Sequence, residues 1–293
     1  MSKFHRVGVL GAGLMGSGIA QVAAVAGHAV VVRDLEEAFL ARARKAIEGS
    51  TAKFVEKGKL LGADRDAALG RISYSTGLGD LAGCDLIIEA VTENLAVKNA
   101  LWADLDTMCG AHVVFASNTS SLPIASMAAV TGRPDRFCGL HFFSPVPLMP
   151  LVEVIRTVAT SDETFDRAMA FARGLGKEAV VARDTPGFIV NRLLVPYLID
   201  AAREAARGLA SIADIDQAMK LGAGHPMGPL TLLDMIGLDT ALKVAEVLHE
   251  EFREPQFAPP PLLRRMVTMG YLGRKSGRGF YDYSTTPPRP VEL

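Results

Sequence analysis

The sequence predicts an α/β amino-terminal part built on a doubly wound sheet, followed by an all-α carboxy-terminal part. Three observations carry this. Residues 6–20 read as a buried strand, a glycine turn and the start of a helix. Strand-like apolar runs then alternate with helix-length segments as far as residue 183. From Gly187 onward the pattern is helical throughout. The expected division is 1–183 and 184–293.

The first strand is Arg6-Val-Gly-Val-Leu10, running into Gly11-Ala12-Gly13. Gly11, Gly13 and Gly16 spell G-x-G-x-x-G. In this pattern the first glycine permits a tight turn and the second lets backbone approach a pyrophosphate. The third lets the helix sit close on its strand. The helix that follows offers free N–H groups and a positive dipole end to phosphates. Alone the motif is weak, because strand ends carry glycine for steric reasons too. The second strand, near 28–33, raises it, since it ends at Asp34. A carboxylate about 20 residues past the glycine loop meets the adenosine ribose hydroxyls. The alternative is a helix-capping Asp. Together these features predict a Rossmann-type unit, with NAD favoured over NADP because Asp34 would repel a 2′-phosphate. Arg33 precedes the acid, and strand alternation points it away from the ribose side.

A helix is expected from 36 to about 59. Ser50, Lys53 and Lys57 share one face of it at i, i+3 and i+7. That stripe reads equally as a solvated face or as a site for a polyanionic group. A strand is expected at 71–75 and a buried one at 85–91. The latter ends at Ala90 and Val91, where ligand-contacting loops belong in open α/β sheets. Glu93 and Lys98 follow it. A helix at 97–108 leads to a strand at 112–117, whose end carries Asn118-Thr119-Ser120-Ser121. A strand at 137–140 ends at His141, and runs at 151–155 and 179–182 complete the sheet. At Asp184-Thr185-Pro186-Gly187 the alternation stops, and Asp184 or Thr185 is expected to cap a helix opening at Pro186. Helices are expected at 188–207, 211–221, 234–252 and 259–269, with a frayed tail.

Composition narrows the function classes. Of 293 residues 49% are hydrophobic, which supports a sizeable core, and the net charge of −1 argues against a nucleic-acid partner. Three cysteines, Cys84, Cys109 and Cys138, lack any framework spacing and fit small core thiols in a reducing compartment. The first residues run straight into a strand, so no leader is expected and a cytoplasmic location follows. The apolar run around 22–32 is broken by Gly27 and His28 and is too short to span a membrane. No metal site is expected.

Ser120, His141 and Glu153 fall at or near successive strand ends, and Asn191 lies just past the domain switch. A dehydrogenase needs a base for the hydroxyl proton, and histidine serves near neutral pH. A carboxylate partner fixes its tautomer and stabilises the imidazolium. Serine and asparagine can hydrogen-bond the reacting oxygen. A lone strand-end His is more often structural; combined with a dinucleotide motif it is the candidate base.

Five segments carry a resemblance to a known family: GAGLMGSGIA (11–20), ASNTSSLPI (116–124), LHFFSPVPLMPLVEV (140–154), DTPGFIVNRLL (184–194) and GAGHPMGPLTLLDMIGLD (222–239). The chain resembles L-3-hydroxyacyl-CoA dehydrogenases over nearly its whole length, nearest the short 3-hydroxybutyryl-CoA dehydrogenases. The resemblance implies His141 as base, Glu153 as its partner, and Ser120 and Asn191 on the substrate. It implies NAD contacts from Gly11, Gly13, Leu14, Met15, Gly16, Asp34, Ala90, Val91, Glu93, Lys98, Asn118, Ser120 and Lys275. It turns Ser50, Lys53 and Lys57 into a coenzyme A site, joined by Ser120 and Ser144. It also implies a role in fatty acid metabolism and a homodimer through the helical domain. Two positions depart from the family pattern: Ser144 stands where Asn is usual, and Pro150 where many members have Lys. Serine keeps a hydrogen-bonding hydroxyl with a shorter reach. The competing readings are a 3-hydroxyadipyl-CoA dehydrogenase, a dehydrogenase of a free hydroxy acid or sugar acid, and a non-enzymatic NAD-binding protein. The free-acid reading gives the Ser50/Lys53/Lys57 face no purpose, and the non-enzymatic one gives none to four polar groups.

Overall fold

The computed structural model describes residues 4–292. The chain divides into two compact units, the first ending at Thr185 and the second starting at Pro186.

The first unit holds eight strands: β1 Arg6–Leu10, β2 Ala29–Arg33, β3 Ile72–Ser75, β4 Leu86–Glu89, β5 Val114–Ser117, β6 Phe137–Phe142, β7 Leu151–Arg156 and β8 Glu178–Arg183. Its helices are α1 Leu14–Val25, α2 Glu37–Glu56, α3 Gly62–Gly70, α4 Leu95–Met108, α5 Ile124–Ala128 and α6 Asp162–Gly174. The strands form one sheet in the order β3-β2-β1-β4-β5-β6-β7-β8. All pairings are parallel except β6 with β7, which is antiparallel. The order reverses between β1 and β4, the kind of crossover at which open α/β sheets bind ligands.

Alternation of side chains explains why helices cover both faces. Val7, Val9, Ile88, Ala116 and Leu140 pack into one core with Ile19 of α1 and Ala168 of α6. Their strand neighbours turn the other way. Phe115 and Phe137 meet Trp102 of α4 there, with ring centroids 4.9 and 4.8 Å from the indole. The sheet is therefore doubly wound, as its apolar strands require. All three cysteines are free and buried. Burial pushes the Cys84 thiol up to about 11 and Cys138 to about 12, so both stay protonated.

The helix expected over 36–59 is α2; α3, Gly62–Gly70, lies beyond it and was not expected. α2 stops at Glu56 because Gly58 adopts a left-handed φ of 64° and donates back to the Val55 carbonyl at 2.9 Å; α3 follows. α4 starts at Leu95, two residues earlier than expected, because the Asn94 side chain accepts from Val97 N–H at 3.1 Å. Asp184 does not cap the next helix in the chain. Its carboxylate accepts the N–H groups of Ile124 and Ala125, at 2.8 and 2.7 Å, and so caps α5.

The second unit contains α7 Val190–Ala206, α8 Ile212–Gly222, α9 Pro229–Ile236, α10 Leu238–Phe252 and α11 Pro261–Thr268. Leu198, Ile199, Leu233, Leu248, Leu263 and Phe280 fill its core. α7 begins at Val190 rather than 188, because Gly187 and Phe188 both have positive φ. The helix expected over 234–252 is broken at Gly237, whose φ is 101°. Asp234 therefore lies in the last turn of α9 instead of opening a helix. Its carboxylate accepts from Phe280 and Tyr281 N–H, both at 2.9 Å. The tail is not frayed at its centre: β10, Arg289–Pro290, pairs antiparallel with β9, Tyr281–Asp282. Among the described residues no helix is long and apolar enough to cross a membrane.

Candidate active site

The turn from β1 to α1 is built as its glycines require. Gly11 has φ 98°, and a Cβ there would lie 2.5 Å from the Ala90 carbonyl oxygen. A Cβ on Gly16 would lie 1.8 Å from the Gly11 oxygen, so this glycine brings the helix down onto its own turn. Gly13 differs: a Cβ there would meet nothing within 4 Å. Its bare backbone thus borders open space at the N-terminus of α1, the place where a dinucleotide pyrophosphate fits. Leu14 is exposed beside it, while Met15 packs on the core.

Asp34, just past β2, accepts Ala12 N–H at 2.6 Å and Leu35 N–H at 2.7 Å, one on each oxygen. A carboxylate has about four acceptor positions, so each oxygen retains capacity for a ribose hydroxyl. Arg33 donates from Nε to the Thr76 carbonyl at 3.2 Å, which ties its guanidinium to the loop after β3. The donor set fits NAD.

The antiparallel register of β6 and β7 puts His141 directly opposite Glu153. Directly opposed residues point to the same face with Cβ atoms about 5 Å apart. His141 Nδ1 lies 2.6 Å from Glu153 Oε2. His141 is 3% exposed and Glu153 fully buried. A carboxylate only accepts, so Nδ1 carries the hydrogen and donates. In the neutral ring Nε2 is then the acceptor, and the Ser120 hydroxyl lies 3.2 Å from it. The Phe143 ring sits 4.5 Å from the imidazole, centroid to centroid. The adjacent Asn118 is buried and its Oδ1 accepts Phe142 N–H at 2.9 Å, which ties the loop bearing Ser120 to the strand bearing His141.

A second polar group lies beyond Ser120. Glu93, on the loop after β4, accepts from Ser120 N–H at 3.3 Å, from Ser121 Oγ at 3.4 Å and from the Thr119 hydroxyl. Lys98 is 1% exposed; its Nζ is 2.5 Å from Glu89 and 3.2 Å from Glu93. Its charge is thus spent inside the protein. Glu89 is fully buried at the end of β4 and also accepts Val91 N–H at 2.7 Å and Ser117 Oγ at 2.6 Å. Sequence reasoning passed over Glu89 and Ser117 as strand. The signal was available: a carboxylate closing an otherwise apolar run must have a partner if buried.

The remaining candidates lie on other elements. Ser50 and Lys53 lie on the last turns of α2 and Lys57 directly after it. Lys53 and Lys57 are exposed and, among the described residues, make no ion pair. A cavity of about 330 Å³ in the first unit borders Phe54 and Lys59, but Ser50, Lys53 and Lys57 do not line it. Ser144 is exposed, on the loop between β6 and β7. In the second unit Asn191 is half-buried in the first turn of α7. Lys275 lies 2.5 Å from Asp239; its ammonium outweighs the cost of burial and holds that carboxyl below its usual range. Among the described residues no cluster of His, Cys, Asp or Glu could hold a metal ion.

Two family models match the chain. Residues 6–185 match "3-hydroxyacyl-CoA dehydrogenase, NAD binding domain", and residues 187–283 match the "C-terminal domain" of the same family. A probable 3-hydroxybutyryl-CoA dehydrogenase of Deinococcus radiodurans is 51% identical over 278 residues, 95% of this chain and 100% of that one. The human mitochondrial hydroxyacyl-coenzyme A dehydrogenase is 51% identical over 284 residues, 94% of this chain and 90% of that one. The crystal structure of (S)-3-hydroxybutyryl-CoA dehydrogenase from Ralstonia eutropha superposes with a TM-score of 0.93 at 48% identity, covering 97% of this chain and 100% of that one.

Proposed function

This chain belongs to the 3-hydroxyacyl-CoA dehydrogenase family of NAD-dependent oxidoreductases, and on that premise we propose that it interconverts 3-hydroxybutyryl-CoA and acetoacetyl-CoA through His141 and Glu153. The substrate rests on the names of the relatives from Deinococcus radiodurans and Ralstonia eutropha. The chemistry rests on one observation: a buried imidazole with a carboxylate on Nδ1 and a hydroxyl near Nε2.

Bound NAD supplies the hydride acceptor. Gly11, Gly13, Gly16 and Asp34 would hold it, with Ala90, Val91 and Glu93 bordering the same strand ends; Lys98 acts on it through Glu93. The protein must take the proton of the 3-hydroxyl. His141 does so at Nε2, because Nδ1 is committed to Glu153. The imidazolium that forms keeps its second N–H on that carboxylate, whose negative charge stabilises it in a buried setting. Ser120 hydrogen-bonds the reacting oxygen and keeps it in line with Nε2. In the reductive direction Nε2–H returns the proton to the same oxygen. Asn191 is assigned to the substrate carbonyls, and Ser50, Lys53 and Lys57 to the phosphates of coenzyme A. Two copies associate through the helical unit.

The test is NADH turnover with acetoacetyl-CoA. General acid–base catalysis contributes typically 10²–10⁴-fold, so His141→Ala should lose about that much kcat while NADH binding stays nearly intact. Glu153→Gln keeps a hydrogen bond and loses the charge, so it should cost less. More than half of wild-type kcat in His141→Ala would overturn the assignment and move it to Ser120 acting through water.

A further inference from the structure

We propose that Glu89 is a positioning residue: acting through Lys98 and Glu93, it fixes the Ser120 hydroxyl relative to the His141 imidazole. The proposal rests on the reading that Ser120 and His141 meet the reacting oxygen.

The contacts run without a gap. Glu89 Oε1 holds Lys98 Nζ at 2.5 Å, and the same ammonium holds Glu93 Oε2 at 3.2 Å. Glu93 Oε1 in turn accepts Ser120 N–H at 3.3 Å and the Thr119 hydroxyl. The Ser120 hydroxyl lies 3.2 Å from His141 Nε2. Glu89 touches neither Ser120 nor His141; besides the charges between them it meets the turn through Ser117, whose Oγ donates to Glu89 Oε2 at 2.6 Å and accepts Thr119 N–H at 3.2 Å, a link that a glutamine carbonyl oxygen at this position can keep.

Those charges are unequally free to move. Glu89 is fully buried and held by three donors: Lys98, Val91 N–H and Ser117 Oγ. Lys98 is buried on α4. Glu93 is 41% exposed and sits on a loop, so it is the member that gives way. With Glu89 ionised, the ammonium is neutralised from the interior side and Glu93 can spend its other oxygen on the 119–121 turn. With Glu89 uncharged, a buried ammonium has Glu93 as its one anionic partner. An unpaired buried charge is costly, and the cheap response is for Glu93 to swing toward Lys98. The Ser120 N–H contact, already long, goes first. The turn then loses the acceptor that orients Ser120.

The experiment uses Glu89→Gln, Lys98→Met and the double variant Glu89→Gln/Lys98→Met in the full chain. Thermal unfolding is measured together with kcat and KM and with the ¹⁵N resonances of histidine-labelled protein without cofactor. The six histidines are sorted by comparison with His141→Ala. In Glu89→Gln the His141 Nε2 resonance should shift and kcat should fall at least tenfold, with KM for acetoacetyl-CoA changed less than threefold. The double variant removes the lone buried charge, so its melting temperature should recover most of the loss. Its kcat and its Nε2 resonance should not recover, because Glu93 still lacks Lys98. A double variant whose kcat returns with its stability would make Glu89 a purely structural residue and overturn the proposal. So would a folded Glu89→Gln with wild-type kcat and an unmoved Nε2 resonance. Failure of the catalytic reading is separate: it would appear as activity retained in His141→Ala, whatever the resonance does.

Discussion

Gly13 and Gly16 should fail in opposite ways when each is changed to alanine. At Gly16 the new Cβ would stand 1.8 Å from the Gly11 carbonyl oxygen, whereas real Cβ atoms are essentially never within 3.0 Å of a neighbour. The obstacle is backbone, so more than an ångström of the β1–α1 turn must move against a strand buried from Val7 to Leu10. Overpacking of this kind costs typically 1–3 kcal/mol; a backbone-on-backbone clash belongs at about 3. For a unit of this size that is roughly 6–12 °C in Tm. Gly13 sits at φ −72° and ψ −168°, which alanine adopts freely, with open space around its Cβ position. Alanine there restricts the unfolded chain, which stabilises by about 0.4–1 kcal/mol, and is a poorer N-cap, which offsets it. Stability should therefore change by less than about 1 kcal/mol. The added methyl would instead occupy the approach to the helix N-terminus, and NADH affinity should drop at least tenfold, about 1.4 kcal/mol. Differential scanning calorimetry and a fluorescence titration with NADH separate the two. Wild-type NADH affinity in a stable Gly13→Ala would refute the placement of the pyrophosphate, and an unchanged Tm in Gly16→Ala would refute the packing argument.

Asp34→Ala should raise KM for NAD with a smaller effect on kcat, as lost uniform binding does; wild-type protein using NADP as readily as NAD would show that Asp34 does not select the cofactor. Lys57→Ala should weaken acetoacetyl-CoA binding about tenfold, the worth of roughly 1.4 kcal/mol for a contact to a charged group, and the deficit should shrink between 50 and 500 mM salt, on the order set by screening; a KM indifferent to both changes returns the stripe to a solvated face. The helical unit exposes Leu193, Leu209, Leu221 and Met269, so sedimentation at micromolar concentration should show a dimer, and a monomer would refute association through this unit. Burial works to raise the Asp85 carboxyl, but the N–H groups of Arg6 and His5 and the charges of His5 and His112 outweigh it and hold it low. Its contribution to stability is thus present above the unfolded value and lost as pH falls through the folded one. Asp85→Asn should lower Tm at pH 7, with the difference from wild type vanishing in acid; a difference that persists at pH 2 would show that charge is not its cause.

Much of the sheet was legible because strands buried on both faces are written as continuous apolar runs. Residues 85–91 and 112–117 announce β4 and β5 without any knowledge of partners. The helices were less legible, since helical periodicity continues across a break that one residue makes. Nothing in the apolar spacing of 229–252 marks Gly237 as a positive-φ turn; beside this break the backbone of Gly273 packs so closely on Asp234 that a Cβ there would lie 2.2 Å from the Asp234 carbonyl oxygen. Asp184 misled for a related reason. A capping residue is normally sought beside the helix it caps, yet this carboxylate reaches back to α5, some sixty positions away in the chain. Local rules name the residue type a helix end needs, and tertiary structure decides which helix receives it.

The proposed acid–base pair was legible as two residue types and not as a contact. His141 and Glu153 become neighbours because β7 turns back antiparallel in a sheet whose other pairings are parallel, in the one register that opposes them. A slip of one residue would send Glu153 to the other face. The apolar alternation of β7 excludes that slip: Val152 and Val154 must enter the core that Leu140 and Phe142 also line. The carboxylate is thereby forced onto the histidine's face by the burial of its hydrophobic neighbours. The same reasoning explains why Glu89 was missed. It has no such alternation to betray it, because both faces of β4 are covered and every position in the strand is buried. There, a charged residue can be recognised as purposeful only once the ammonium that meets it, nine residues on in α4, has been found.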